Sequence, residues 1–120
     1  MATSARSLVG LVALVLAVGL ASAWWRQQRG ADVAEQLRAE LGPGELRMLS
    51  SDSCAVCLVA RRWFQRHRVA FEECSIERDP RCAADYALQG APGTPVFLAR
   101  GRAMLGFDPE AMHLWLISQD

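Results

Sequence analysis

An α/β domain built on a mixed four-stranded sheet, set behind an apolar N-terminal helix, is the fold class that this 120-residue sequence predicts. Three observations predict it. Short β-type segments alternate with helical ones in the order β-α-β-α-β-β-α, a pattern that calls for a sheet covered by helices. Cys54 and Cys57 stand where the first strand passes into the first of those helices. The uncharged run Leu8–Trp25, preceded by Arg6, stands apart as a membrane-directed segment.

The composition limits the partners. There are 13 basic and 13 acidic residues, so no net charge argues for nucleic acid. All basic residues are Arg, which no chemistry proposed below requires. The length leaves room for one small domain.

Residues 1–30 read as a transmembrane anchor or a signal segment. Leu8–Trp25 is 18 residues long, at the lower limit for a span and long for a signal-peptide core. Ala21-Ser22-Ala23 has the small-x-small form of a cleavage site, whereas Trp24-Trp25 with Arg26 and Arg29 suits an interfacial anchor. An uncleaved anchor is the reading taken over cleavage or a plain buried helix. Basic residues after the run lean towards a cytoplasmic C-terminus, while the cleavage-like site leans towards export. The expectation is a single-pass protein of a bacterial inner membrane with its domain on the periplasmic side, the cytoplasmic side being the alternative.

Residues 31–44 read as an amphipathic helix and a linker. Asp32 and Glu35 have capping-box spacing, Val33, Leu37 and Leu41 form a stripe, and Gly42-Pro43-Gly44 ends it. The folded domain then occupies 45–120. Glu45–Ser50 alternates polar and apolar residues as a half-buried strand does, and Ser51-Asp52-Ser53 is a turn rich in N-cap residues. Val56, Val59, Ala60, Trp63 and Phe64 recur at helical spacing, with Arg61, Arg62, Gln65 and Arg66 on the other faces.

Cys54 therefore falls in the first turn of a helix, where free N–H groups and the helix dipole favour a thiolate. Cys57, one turn deeper, is placed to attack a mixed disulfide formed on Cys54. Val69–Ile76 is β-rich and predicts the second strand. Asp79-Pro80 opens a helix that Gly90 stops. Val96–Ala99 is a short buried strand, Gly101-Arg102 turns the chain, and Ala103–Gly106 returns as its hairpin partner. Asp108-Pro109 opens the last helix, with Met112, Trp115 and Leu116 inward. The first two strands should be parallel through a right-handed crossover, and the last two antiparallel.

This order, Cys54-x-x-Cys57 and Gly93-Thr94-Pro95 ahead of a strand together resemble the thioredoxin superfamily, in particular the glutaredoxins and glutaredoxin-like proteins. The resemblance covers Glu45 to the C-terminus and implies a thioredoxin-like fold with thiol–disulfide oxidoreductase activity. It also implies that Pro95 is cis and faces the active disulfide, with Thr94 offering its backbone to substrate. Gly106, Phe107 and Asp108 fall where glutaredoxins contact glutathione. The chain departs from the pattern at Ser51, where glutaredoxins carry a basic residue. It departs again at Ala55-Val56 in place of Pro-Tyr, and at Ser53 in place of thioredoxin's Trp.

Blander readings stand beside these. Cys54-x-x-Cys57 is also half a zinc site, but Cys74 and Cys82 have seven residues between them and no nearby His. Those two are either inert cysteines or a second disulfide in an oxidising compartment. His67, at a helix end where a cation suits the dipole, and His113 read as ordinary histidines. Arg61-Arg62 and Arg66-His67-Arg68 read as a solvated face, with a landing site for acidic partners or headgroups as the sharper alternative.

The expected protein is a membrane-tethered oxidoreductase with Cys54 as nucleophile and Cys57 as resolver. Thr94, Pro95, Gly106, Phe107 and Asp108 would bind substrate. No metal or organic cofactor is required, and glutathione is a possible reductant. Its partners would be a disulfide-containing protein or a glutathione mixed disulfide, and membrane lipid. A binding module that keeps the fold without turnover, or a cysteine metal site, are the opposing classes.

Overall fold

The computed structural model describes residues 2–118. The chain opens with a long helix, α1 (Ala2–Glu40). It divides into two compact units, the first ending at Asp32 and the second beginning at Val33.

The first unit is helical throughout. It contains the one helix among the described residues that is long and apolar enough to cross a membrane, and a signal sequence would meet the same test. Its apolar side chains, from Leu8 to Trp25, are exposed. The Ser22 hydroxyl donates to the Val18 carbonyl at 2.7 Å, so this lone polar side chain is satisfied within the helix. Arg29 lies over the Trp25 ring, 4.9 Å from its centroid.

The second unit is the α/β domain. Its strands are β1 (Arg47–Ser50), β2 (Glu72–Ser75), β3 (Val96–Ala99) and β4 (Arg102–Leu105). Its further helices are α2 (Ala55–His67), α3 (Pro80–Gln89) and α4 (Pro109–Ile117). The sheet order is β2-β1-β3-β4, with β1 parallel to β2 and antiparallel to β3, and β3–β4 an antiparallel hairpin. The β1–β2 and β3–β4 pairings are the ones the sequence pattern predicts, and the antiparallel β1–β3 pairing joins them into one sheet.

Strand alternation sorts the core into two layers. Met48 on β1 and Phe97 and Ala99 on β3 face one side, packed with Ala60 and Phe64 of α2 and Met112 and Leu116 of α4. Leu49 and Val96 face the other, against Cys82 of α3. Asp79 and Asp108 cap α3 and α4, each accepting two backbone N–H groups ahead of a proline in the first turn. Gly90 ends α3 at φ 61°, a left-handed conformation that glycine adopts without a Cβ clash.

Four expectations need correction. The separate amphipathic helix starting at Asp32 is absent, because α1 continues without a break to Glu40. Ala34, Leu37 and Leu41 are buried in the core, so the compact unit starts at Val33 and not at Glu45. On α2 the buried positions are Cys57, Ala60 and Phe64, spaced three and four apart, whereas Val56 and Val59 are exposed. Only the C-terminal half of the predicted second strand pairs in the ladder. Val69 and Phe71 instead pack into the core ahead of it.

Candidate functional site: a disulfide at a strand-to-helix turn

Cys54 is the N-cap of α2, with extended backbone at φ −86° and ψ 107°. Its sulfur accepts the Cys57 N–H at 3.0 Å, which is the contact expected of an N-cap side chain. The Cys54 N–H donates to the Ser51 carbonyl at 3.2 Å, so the preceding turn sets the pose of the cysteine. Cys54 and Cys57 are disulfide-bonded with their Cα atoms 5.2 Å apart. Cys57 is fully buried beneath the helix start, while Cys54 is half-buried. Of the two, Cys54 is the more accessible to solvent. The helix N-terminus stabilises negative charge on Cys54 when the bond opens.

Cys54 lines a groove together with the Ser51-Asp52-Ser53 turn, Leu58, Arg61 and Arg78. Cys54, Leu58 and Arg61 lie on one face of α2, at spacings of four and three. Arg61 is bonded through both Nε (2.6 Å) and Nη2 to the Glu73 carboxylate. That bond holds the Glu73 carboxyl below the usual range and the Arg61 guanidinium above it. Arg78 pairs with Asp52 at 2.9 Å. Glu77 accepts from the Ser51 hydroxyl and from the Asp52 N–H at 3.2 Å, and the Ser51 bond in particular lowers its pKa.

The other predicted site residues are not among those lining this groove. The Thr94–Pro95 peptide is cis, and Pro95 is fully buried. Gly106, at φ 86°, donates its N–H to the Pro95 carbonyl at 2.9 Å, which joins two of the predicted positions. Phe107 packs edge-on against Trp63 and Phe64. Asp108 Oδ1 accepts the N–H groups of Glu110 and Ala111 and so caps α4.

The sequence places Arg61 on a solvated face or a landing site for acidic partners and Asp52 in a turn, and it gives no signal for Arg78 or Glu77. The spacing of Cys54, Leu58 and Arg61 was the available signal for the first. The others depend on contacts between distant loops. His67 also departs from expectation. Burial, then the Arg66 and Arg38 charges, push its pKa down, and its ring lies 4.5 Å from that of Trp63. Its protonated form is thus disfavoured relative to an ordinary histidine.

Cys74 and Cys82 form a second disulfide, Cα to Cα 6.0 Å, between β2 and the first turn of α3. All four sulfurs are engaged in these two bonds.

No family model matches the chain. Glutaredoxin-like protein NrdH of Lactococcus lactis is 27% identical to it over 63 residues, which span 52% of this chain and 88% of the relative. Its counterpart from a second strain matches equally. Among solved structures, the thioredoxin-like protein BC3987 superposes with a TM-score of 0.54 at 18% identity, over 64% of this chain and 99% of that one. The glutaredoxin-like NrdH-redoxin of Escherichia coli gives 0.51 at 23% identity, over 57% of this chain and 91% of the other. The chain thus carries a thioredoxin-like fold, and its relatives are glutaredoxin-like proteins of the thioredoxin superfamily.

Proposed function

We propose that the chain is a membrane-tethered thiol–disulfide oxidoreductase acting on protein disulfides through Cys54 and Cys57. The observation that carries this is the asymmetry of the pair: an accessible sulfur at a helix N-terminus bonded to a fully buried one. In the reducing direction the Cys54 thiolate attacks one sulfur of a substrate disulfide. A Cys54–substrate bond forms, and the other substrate sulfur leaves as a thiolate. Cys57 then loses its proton and attacks Cys54, closing the internal disulfide and releasing the second substrate thiolate. Two electrons pass from the dithiol to the substrate, and the released thiolates take up two protons. The reverse sequence oxidises a substrate dithiol.

Thr94 and Pro95 would hold the substrate chain, and Gly106, Phe107 and Asp108 belong to the same proposed surface. The bond from Gly106 to Pro95 supports treating the two stretches together. No metal or organic cofactor is needed for the exchange, and glutathione or a reductase would recycle the pair. The apolar helix supports tethering as a single-pass inner-membrane protein. The Cys74–Cys82 bond supports the oxidising, periplasmic side for the domain.

The test is turnover of a mixed disulfide by the full chain in detergent. Cys54→Ser should abolish turnover, whereas Cys57→Ser should accumulate mixed disulfides visible by mass spectrometry. Absence of turnover by the native chain would favour a binding module that keeps the fold without the chemistry, and turnover unaffected by Cys54→Ser would remove Cys54 as the nucleophile.

A further inference from the structure

We propose that the Cys74–Cys82 disulfide is a positioning element for the exchange reaction. By closing the segment between residues 74 and 82, it holds Ser75, Glu77 and Arg78 against the loop that presents Cys54. The inference rests on the reading of Cys54 as the attacking sulfur.

The contacts between the two loops carry it. The Ser51 hydroxyl donates to Glu77, and the Asp52 N–H donates to Glu77 Oε2 at 3.2 Å. Ser75 Oγ donates to Asp52 Oδ1 at 3.1 Å, and Arg78 Nη2 pairs with the same oxygen at 2.9 Å. Among the described residues, every side chain that bonds Ser51 or Asp52 comes from Ser75, Glu77 or Arg78. All three lie inside the disulfide-closed segment. Ser51 in turn receives the Cys54 N–H, so the pose of this loop decides how well the Cys54 sulfur meets the helix N-terminus.

The second bond differs from the first in its surroundings. Cys82 is fully buried. Arg47 Nη2 lies 3.4 Å from the Cys74 sulfur, and the same guanidinium is paired with Asp85 of α3. Each disulfide thus joins one half-buried sulfur, Cys54 or Cys74, to one fully buried sulfur, Cys57 or Cys82. The charged groups lining the groove at Cys54 are Asp52, Arg61 and Arg78, with Glu77 bonded to Asp52 and Glu73 bonded to Arg61 behind them. Neutral substitutions leave all of them in place.

The test uses the full chain in detergent, in a Cys57→Ser background that frees the Cys54 thiol. Its alkylation by iodoacetamide is followed against pH, with and without Cys74→Ser and Cys82→Ser. Loss of the second disulfide should move the titration midpoint of Cys54 upward. It should also slow alkylation at neutral pH by about threefold or more, with the alkaline limiting rate unchanged. Ser75→Ala, with the disulfide intact, should shift the midpoint the same way, and Ser75→Thr should restore it.

A lowered Tm with an unchanged midpoint would make the bond a plain staple and overturn the inference. If the double cysteine variant does not fold, Ser75→Ala decides alone, and an unmoved midpoint refutes the proposal. Failure of the underlying reading shows separately, as native protein that turns over no disulfide.

Discussion

Cys54 and Cys57 are chemically identical residues given different surroundings by one turn of helix. Position fixes Cys54 at the cap and Cys57 in the core, and the neighbouring Ser51 then bears on which thiol partner is accepted. Its hydroxyl is bound to Glu77, so the position occupied by a cation in glutaredoxins here adjoins two carboxylates, Glu77 and Asp52. A tripeptide with two carboxylates of its own meets no free cation there. Glutathione should therefore bind weakly in calorimetric titration. Replacing Ser51→Arg together with Glu77→Gln should tighten binding by tenfold or more, since a charge-assisted hydrogen bond is worth about 1.5–3 kcal/mol. Ser51→Arg alone should gain less, because Glu77 would take the new guanidinium. Tight binding by the native chain would contradict this account.

At the scale of elements, the tail of α1 behaves as a helix of the domain. Leu37 is fully buried beside Phe64 and Met112 in the same core layer, so Leu37→Ala should cost about 2–5 kcal/mol in denaturant unfolding. A cost near zero would mean the domain holds together without α1. Helices α3 and α4 were legible because Asp-Pro pairs mark their starts, and β3 because Val96–Ala99 is buried on both faces of the sheet. The continuity of α1 was not legible. Gly30 and Asp32 are weak helix formers, each costing less than about 1 kcal/mol, and burial of the turns that follow outweighs them. Val56 and Val59 fit a helical period but not the phase set by Cys57, Ala60 and Phe64, and only packing fixes phase. The clamp on the Cys54 loop was invisible for a different reason. Strands β1 and β2 are parallel, so the loops after them emerge at the same sheet edge, and a linear reading does not bring those loops together.

For the domain as a whole, stability should fall on the acid side in two steps. Burial holds the His67 pKa below its ordinary 6.5, so the folded state binds fewer protons than the unfolded one there. That contribution is present above pH 6.5 and is lost as pH falls through the lowered value. The Arg61 bond to Glu73 holds that carboxyl below 4.5, which adds stability above pH 4.5 that is lost on further acidification. Melting followed by circular dichroism from pH 8 downward should show both declines, and His67→Gln should remove the upper one. A Tm that stays level or rises between pH 7 and 5 would refute the histidine step. The parallel pairing of β1 with β2 has one more consequence, and it concerns heredity. The cap, the clamp, the second disulfide and the Arg47–Asp85 cover are all encoded in one uninterrupted stretch from Arg47 to Asp85. A recombination that moved this stretch intact into another thioredoxin-like scaffold would carry the tuning of the reactive sulfur with it as a single cassette.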